Sequence, residues 1–211
     1  MVNRKKEDFT RVSKNESPNK IFVISVEGAS DEPSYFEALN NIYKINIRFE
    51  YVITSPNDDD TCTGTKSAPN HVIRRLKKKI ETIETFDLKK GDQAWLVMDR
   101  DKWGGILYST IQEAHINHFN LAISNISFNT WLYMHDNDWI CTNAPDCCSK
   151  KCKKCSQNIL KKDFDSIVSN VRNAVDRAKK CETSASENSE TEIPPCPGSR
   201  VYKLIEELGI L

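Results

Sequence analysis

Three short runs, IFVISV (Ile21–Val26), AWLVM (Ala94–Met98) and LAIS (Leu121–Ser124), are apolar at almost every position rather than at every second one. A strand of that kind has both faces covered, the condition of a parallel sheet held between two layers of helix. The stretches between them carry apolar residues at three- and four-residue intervals, so the chain reads as alternating strands and helices.

The pattern predicts a strand over Lys20–Val26, then a helix with Pro33 in its first turn and Phe36, Leu39 and Tyr43 on one face. A second strand is expected over Ile47–Thr54, and a loop over Ser55–Pro69. The next helix spans Asn70–Thr85, with Ile73, Leu76, Ile80 and Ile83 as its buried stripe and the Arg/Lys run facing out. Gln93–Met98, Ile106–His118 and Asn120–Ser124 complete the alternation as strand, helix and strand. Beyond these lie a short aromatic helix (Phe128–His135), a Cys- and Lys-rich segment, and a helix carrying Ile167, Val168, Val171 and Val175. The Ser-, Glu- and Pro-rich stretch Glu182–Ser199 reads as an exposed loop, and Arg200–Leu208 as a closing helix. The expected fold is α/β, with a mostly parallel four-stranded central sheet flanked by helices. The expected organisation is a basic tail (1–19), the core (20–140), a Cys/Lys-rich insertion (141–156), and C-terminal helices (157–211) interrupted by the exposed loop 182–199.

Lys+Arg and Asp+Glu number 30 each, so net charge points to no class of partner. The N-terminus lacks an apolar signal core, and no apolar run reaches membrane-spanning length, which predicts a cytoplasmic chain with no membrane association. In a reducing compartment the eight cysteines point to metal binding or simple burial rather than to disulfides.

Ligands of open parallel sheets sit at the carboxyl ends of the strands. Two such ends carry clustered acids: Glu27, Asp31 and Glu32 after the first strand, and Asp99 and Asp101 after the third. Such groups can chelate a divalent cation, act as an acid/base pair, or cap helices. Mg²⁺ takes hard oxygen ligands and usually one or two protein carboxylates, completed by water and phosphate. Asp99 and Asp101 project to one side if the backbone there stays extended. Asp31 is the better candidate for a helix cap.

Cys141, Cys147 (or Cys148), Cys152 and Cys155 lie within fifteen residues, and Cys152-x-x-Cys155 has the spacing of a zinc knuckle, with His135 an outside candidate. The alternative is a variable insertion with incidental thiols. Cys62, Cys181 and Cys196 are isolated and read as reduced. His71, His115 and His118 read as surface or helix-end residues, and Trp95 and Trp131 as core. Trp103, beside the proposed site, can stack a base or pack its loop down. Arg74, Arg75 and Lys78, with Arg100, are candidates for a nucleic-acid backbone, against the plainer reading of a solvated face.

VEGASDEPSYF, AWLVMDRD and AISNISFNTWLYMH, in that order and at these separations, resemble the RloB-like (AbiLii-type) family, and SRVYKLIEEL resembles its C-terminal helix. The resemblance implies a Toprim fold related to the nuclease part of OLD-family proteins. By position Glu27 matches the Toprim glutamate of acid/base chemistry or metal binding, and Glu32 the second acid of that motif. Asp99 and Asp101 match the D-x-D pair that binds Mg²⁺ or Mn²⁺. The implied activity is nuclease cleavage, of RNA (tRNA among the options) or DNA, in phage defence by abortive infection, often beside a partner ATPase. The chain departs from the family's S-N-P-x-F-E-x-W pattern, with Ile126 in place of proline and Asn129 in place of glutamate. Two rivals stand beside the nuclease: a degenerate Toprim that binds nucleic acid or the ATPase, favoured by Asn129, and a Toprim phosphotransfer or primase-like enzyme.

Overall fold

A computed structural model describes residues 20–45, 48–52, 68–101, 103–135, 163–184 and 192–211. The expected basic tail, most of the loop after the second strand, and the cysteine cluster at Cys141–Cys155 lie outside the described residues.

The strands are β1 (Ile21–Val26), β2 (Arg48–Val52), β3 (Gln93–Asp99), β4 (Asn120–Asn125) and β5 (Gly198–Ser199). They lie in the order β2-β1-β3-β4-β5. The first four are parallel, with Ile24 opposite Tyr51 and Trp95, and Val97 opposite Ala122. β5 is antiparallel to β4, with Ser124 opposite Ser199 and Asn125 opposite Gly198.

The helices are α1 (Asp31–Tyr43), α2 (Pro69–Glu81), α3 (Gly105–Ile116), α4 (Phe128–Tyr133), α5 (Phe164–Val168), α6 (Val171–Ser184) and α7 (Val201–Glu207). Strand pleating divides the core into two layers. Phe22, Ile24, Val26, Trp95 and Val97 face α1 and the helices after β4, where Tyr35, Phe36, Trp131, Val168, Val175 and Leu204 are buried. Val23, Ala94, Leu96, Met98 and Ile123 face α2 and α3, meeting Val72, Ile73, Leu76, Leu107 and Ala114. The continuous apolar runs are thus explained, since β1, β3 and β4 are each covered on both sides. Among the described residues no helix is long and apolar enough to cross a membrane.

Four expectations change. The helix expected around Ile167–Val175 is two helices, α5 and α6, separated by Ser169 and Asn170, although all four apolar residues are buried. The stretch expected as an exposed loop begins inside α6 and ends in β5, with Pro194, Pro197, Gly198 and Ser199 buried. Its strand is two residues long and too short to carry a periodicity. Cys181 and Cys196, expected to be reduced, are both disulfide-bonded. The outward-facing basic run holds for Arg74 and Lys78, but Arg75 is 9 % exposed and donates to the Val26 carbonyl (3.1 Å), so its guanidinium caps the end of β1.

Candidate active site

β1 and β3 are neighbours, but the chain leaves β1 through α1 on one face and enters β3 from α2 on the other. The crevice at such a switch point opens at the carboxyl ends of the two strands. Glu27 follows β1 directly and Asp99 is the last residue of β3.

The Asp99 amide donates to Glu27 Oε2 (2.9 Å), and the Trp103 indole N–H donates to Glu27 Oε1 (3.2 Å). Asp99 Oδ1 accepts the Phe128 amide at the start of α4 (2.7 Å). Two strand ends and a helix start are thereby tied through two carboxylates. Glu32, buried in the first turn of α1, accepts the Gly28 amide on Oε1 (3.2 Å). A Cβ at Gly28 would come 2.1 Å from Glu32 Oε2, so any larger residue there would push that carboxylate aside.

The electrostatics are those of acids withdrawn from water. Burial pushes Glu27 up to about 7, helped by the charges of Glu32 and Asp101 and opposed by its two N–H donors. Burial pushes Asp99 well above the usual carboxylate range, the charges of Glu27 and Glu32 adding to it and the Phe128 amide opposing. Burial raises Glu32 as well, against the backbone N–H groups it accepts. A bound divalent cation reverses this balance by favouring every ionised form.

Asp101 shares the field of this cluster but not the expected geometry. Strand β3 ends at Asp99, and Asp101 sits in an exposed turn at φ +28°, with its amide donating to the Ile126 carbonyl (3.2 Å). The two aspartates are therefore not on one face of an extended strand. Among the described residues no group of three or more His, Cys, Asp and Glu stands ready-made as a metal cage. The donor chemistry still suits Mg²⁺ or Mn²⁺, which combine one or two carboxylates with water, and Glu27, Asp99 and Asp101 are the residues that would hold one.

Trp103 takes the second of its two expected roles, since it packs against the α2–α3 layer and its N–H is committed to Glu27. Asp31 does not cap α1 with its side chain. Ser30 occupies the N-cap without a side-chain bond, and Asp31 is a first-turn acid. His135 leaves the metal candidates: it is buried, its Nε2 faces the Tyr35 hydroxyl (3.1 Å) and its Nδ1 the Trp131 carbonyl (3.0 Å). Burial holds it down at about 4, so it is a neutral core residue. Trp95 and Trp131 are core residues as expected. His71 is buried beside Arg74 (2.8 Å to Nδ1), and His115 meets Glu192 (3.1 Å), so both have partners that the sequence did not disclose.

Asn129 lies on α4 next to Phe128, whose amide holds Asp99. The position where the related pattern has glutamate therefore adjoins the cluster. Sequence reading missed the Arg100–Asn125 contact (Nη1 to Oδ1, 3.4 Å), which no local pattern signals.

Compared with known proteins, residues 22–208 match the family model described as RloB-like protein. No curated protein and no solved structure matches the chain. With nearly all of its length under that match, the chain belongs to the RloB-like family.

Proposed function

We propose that the chain is a Toprim-like, divalent-metal-dependent nuclease that hydrolyses phosphodiesters of nucleic acid, RNA foremost, in antiviral defence by abortive infection. The observation that carries this reading is the meeting of Glu27 and Asp99, with Glu32 behind and Asp101 beside them, at the open ends of adjacent parallel strands. Membership of the RloB-like family supports it.

Glu27, Asp99 and Asp101 would hold Mg²⁺ or Mn²⁺, which when bound stabilises charge on the phosphate and promotes ionisation of water. Glu27 is placed by two N–H donors, which fix its carboxylate without rotamer search. The Phe128 amide holds Asp99 through Oδ1. In the hydrolysis, water oxygen bonds to phosphorus, the phosphorus–oxygen bond to the leaving nucleotide breaks, and a proton passes to that oxygen. Zinc at Cys141, Cys147, Cys152 and Cys155, and a partner ATPase, belong to this proposal as accessory features.

Asn129 favours a second reading, a binding module that grips nucleic acid without cutting it, because one carboxylate of the related pattern is gone. Cells expressing the wild type and Asp99→Ala in parallel separate the two. The nuclease reading expects new nucleic-acid ends, mapped by sequencing, and toxicity in the wild type alone. Equal toxicity without new ends in either culture contradicts it.

A further inference from the structure

Asn125, the last residue of β4, is 2 % exposed and does two things with one amide. Its Nδ2 donates to the Pro194 carbonyl (2.8 Å), and its Oδ1 accepts from Arg100 Nη1 (3.4 Å). Because only the nitrogen end can donate to a carbonyl, Pro194 fixes which way the amide points. The oxygen is left for the guanidinium.

The segment 192–200 is built to present that carbonyl. Gly198 lies opposite Asn125 in the sheet, and a Cβ there would come 2.5 Å from the Pro195 carbonyl, so only glycine admits the fold-back. The Ser124 and Ser199 hydroxyls meet at 2.9 Å, and the Arg200 amide donates to the Ile123 carbonyl (2.9 Å). The Arg200 side chain is buried and pairs with Glu182 and Glu192. All this order converges on an exposed arginine that lies between Asp99 and Asp101 in the chain.

We propose that Asn125 is a positioning residue that holds the Arg100 guanidinium at the rim of the acidic cluster, where Arg100 grips a phosphate of the nucleic-acid backbone. The inference rests on the nucleic-acid reading above and deepens it: the 192–200 segment sets substrate affinity rather than the chemical step. Guanidinium suits the task, since its fork can give one N–H to Asn125 and others to phosphate oxygens.

The test uses the full chain and a fluorescein-labelled single-stranded RNA oligonucleotide. Its dissociation constant is measured in EDTA over a salt series, and KM and kcat are measured in Mn²⁺. Arg100→Ala and Asn125→Ala should each weaken binding and raise KM about tenfold, the size of one charge-assisted hydrogen bond, with kcat within about twofold of wild type. Arg100→Ala should lower the salt slope by about one. The double variant should lose no more than Arg100→Ala alone, because Asn125 acts through Arg100. If Asn125→Ala fails to fold, Asn125→Ser keeps a polar group at the site, and the exposed Arg100 can be replaced in either case. Unchanged affinity in Arg100→Ala, or fully additive losses in the double variant, overturns the proposal, as does a wild type that binds no RNA. Arg100-dependent binding without cleavage in any divalent cation leaves this inference standing and removes the nuclease reading.

Discussion

Gly28 leaves room for the Glu32 carboxylate. With a Cβ placed 2.1 Å from Glu32 Oε2, Gly28→Ala must displace Glu32 while the rest of α1 keeps its packing. On the nuclease reading this variant retains its circular dichroism spectrum and loses about a hundredfold in kcat, the usual effect of misplacing a catalytic group by an ångström. Asn129 allows the opposite experiment. Asn129→Glu adds a carboxylate beside the amide that holds Asp99, and Mn²⁺ should then bind about tenfold more tightly by calorimetry. At this scale the sequence was informative wherever position alone decides: Glu27 and Asp99 follow apolar runs, and a strand's end is legible from its composition. It was silent where a single dihedral or a distant partner decides, as with Asp101 at φ +28° and Trp103 on Glu27.

Among the elements, β1, β3 and β4 and the helices that flank them were legible because each buries a continuous or periodic apolar set. The short strand before the closing helix was not. A two-residue strand has no period, and the burial of Pro194, Pro197 and Gly198 follows from bonds to β4 rather than from hydrophobicity. Gly198 is the position where that element can be broken. Gly198→Ala forces a Cβ against the Pro195 backbone carbonyl and should lower stability by about 1–3 kcal/mol in urea unfolding. Cys181 is disulfide-bonded, so Cys181→Ser should lower stability by about 2–4 kcal/mol, and the oxidised wild type should lose at least a similar amount on reduction. The isolated positions of Cys181 and Cys196 in sequence hid their disulfide bonding.

His135 gives the whole molecule one contribution to stability that acid removes, opposed by Glu27, Asp99 and Glu32, whose raised pKa values favour the folded state as pH falls. Burial lowers His135 from 6.5 to about 4, so the unfolded chain takes up a proton as pH falls below 6.5 while the folded chain resists until about 4. The stability concerned is fully present above pH 6.5 and is lost on going down to pH 4, by up to about 3 kcal/mol. Urea midpoints of the wild type and His135→Gln measured across that window should converge at the acid end.

Whether the strand ends form a divalent-metal nuclease site is decided by cleavage of RNA and DNA oligonucleotides with purified protein in Mg²⁺ or Mn²⁺, wild type against Asp99→Ala. Cleavage should require the cation, be abolished by EDTA, and be absent from a folded Asp99→Ala protein. Equal cleavage by the two proteins, or none by the wild type with either cation, would contradict the nuclease reading.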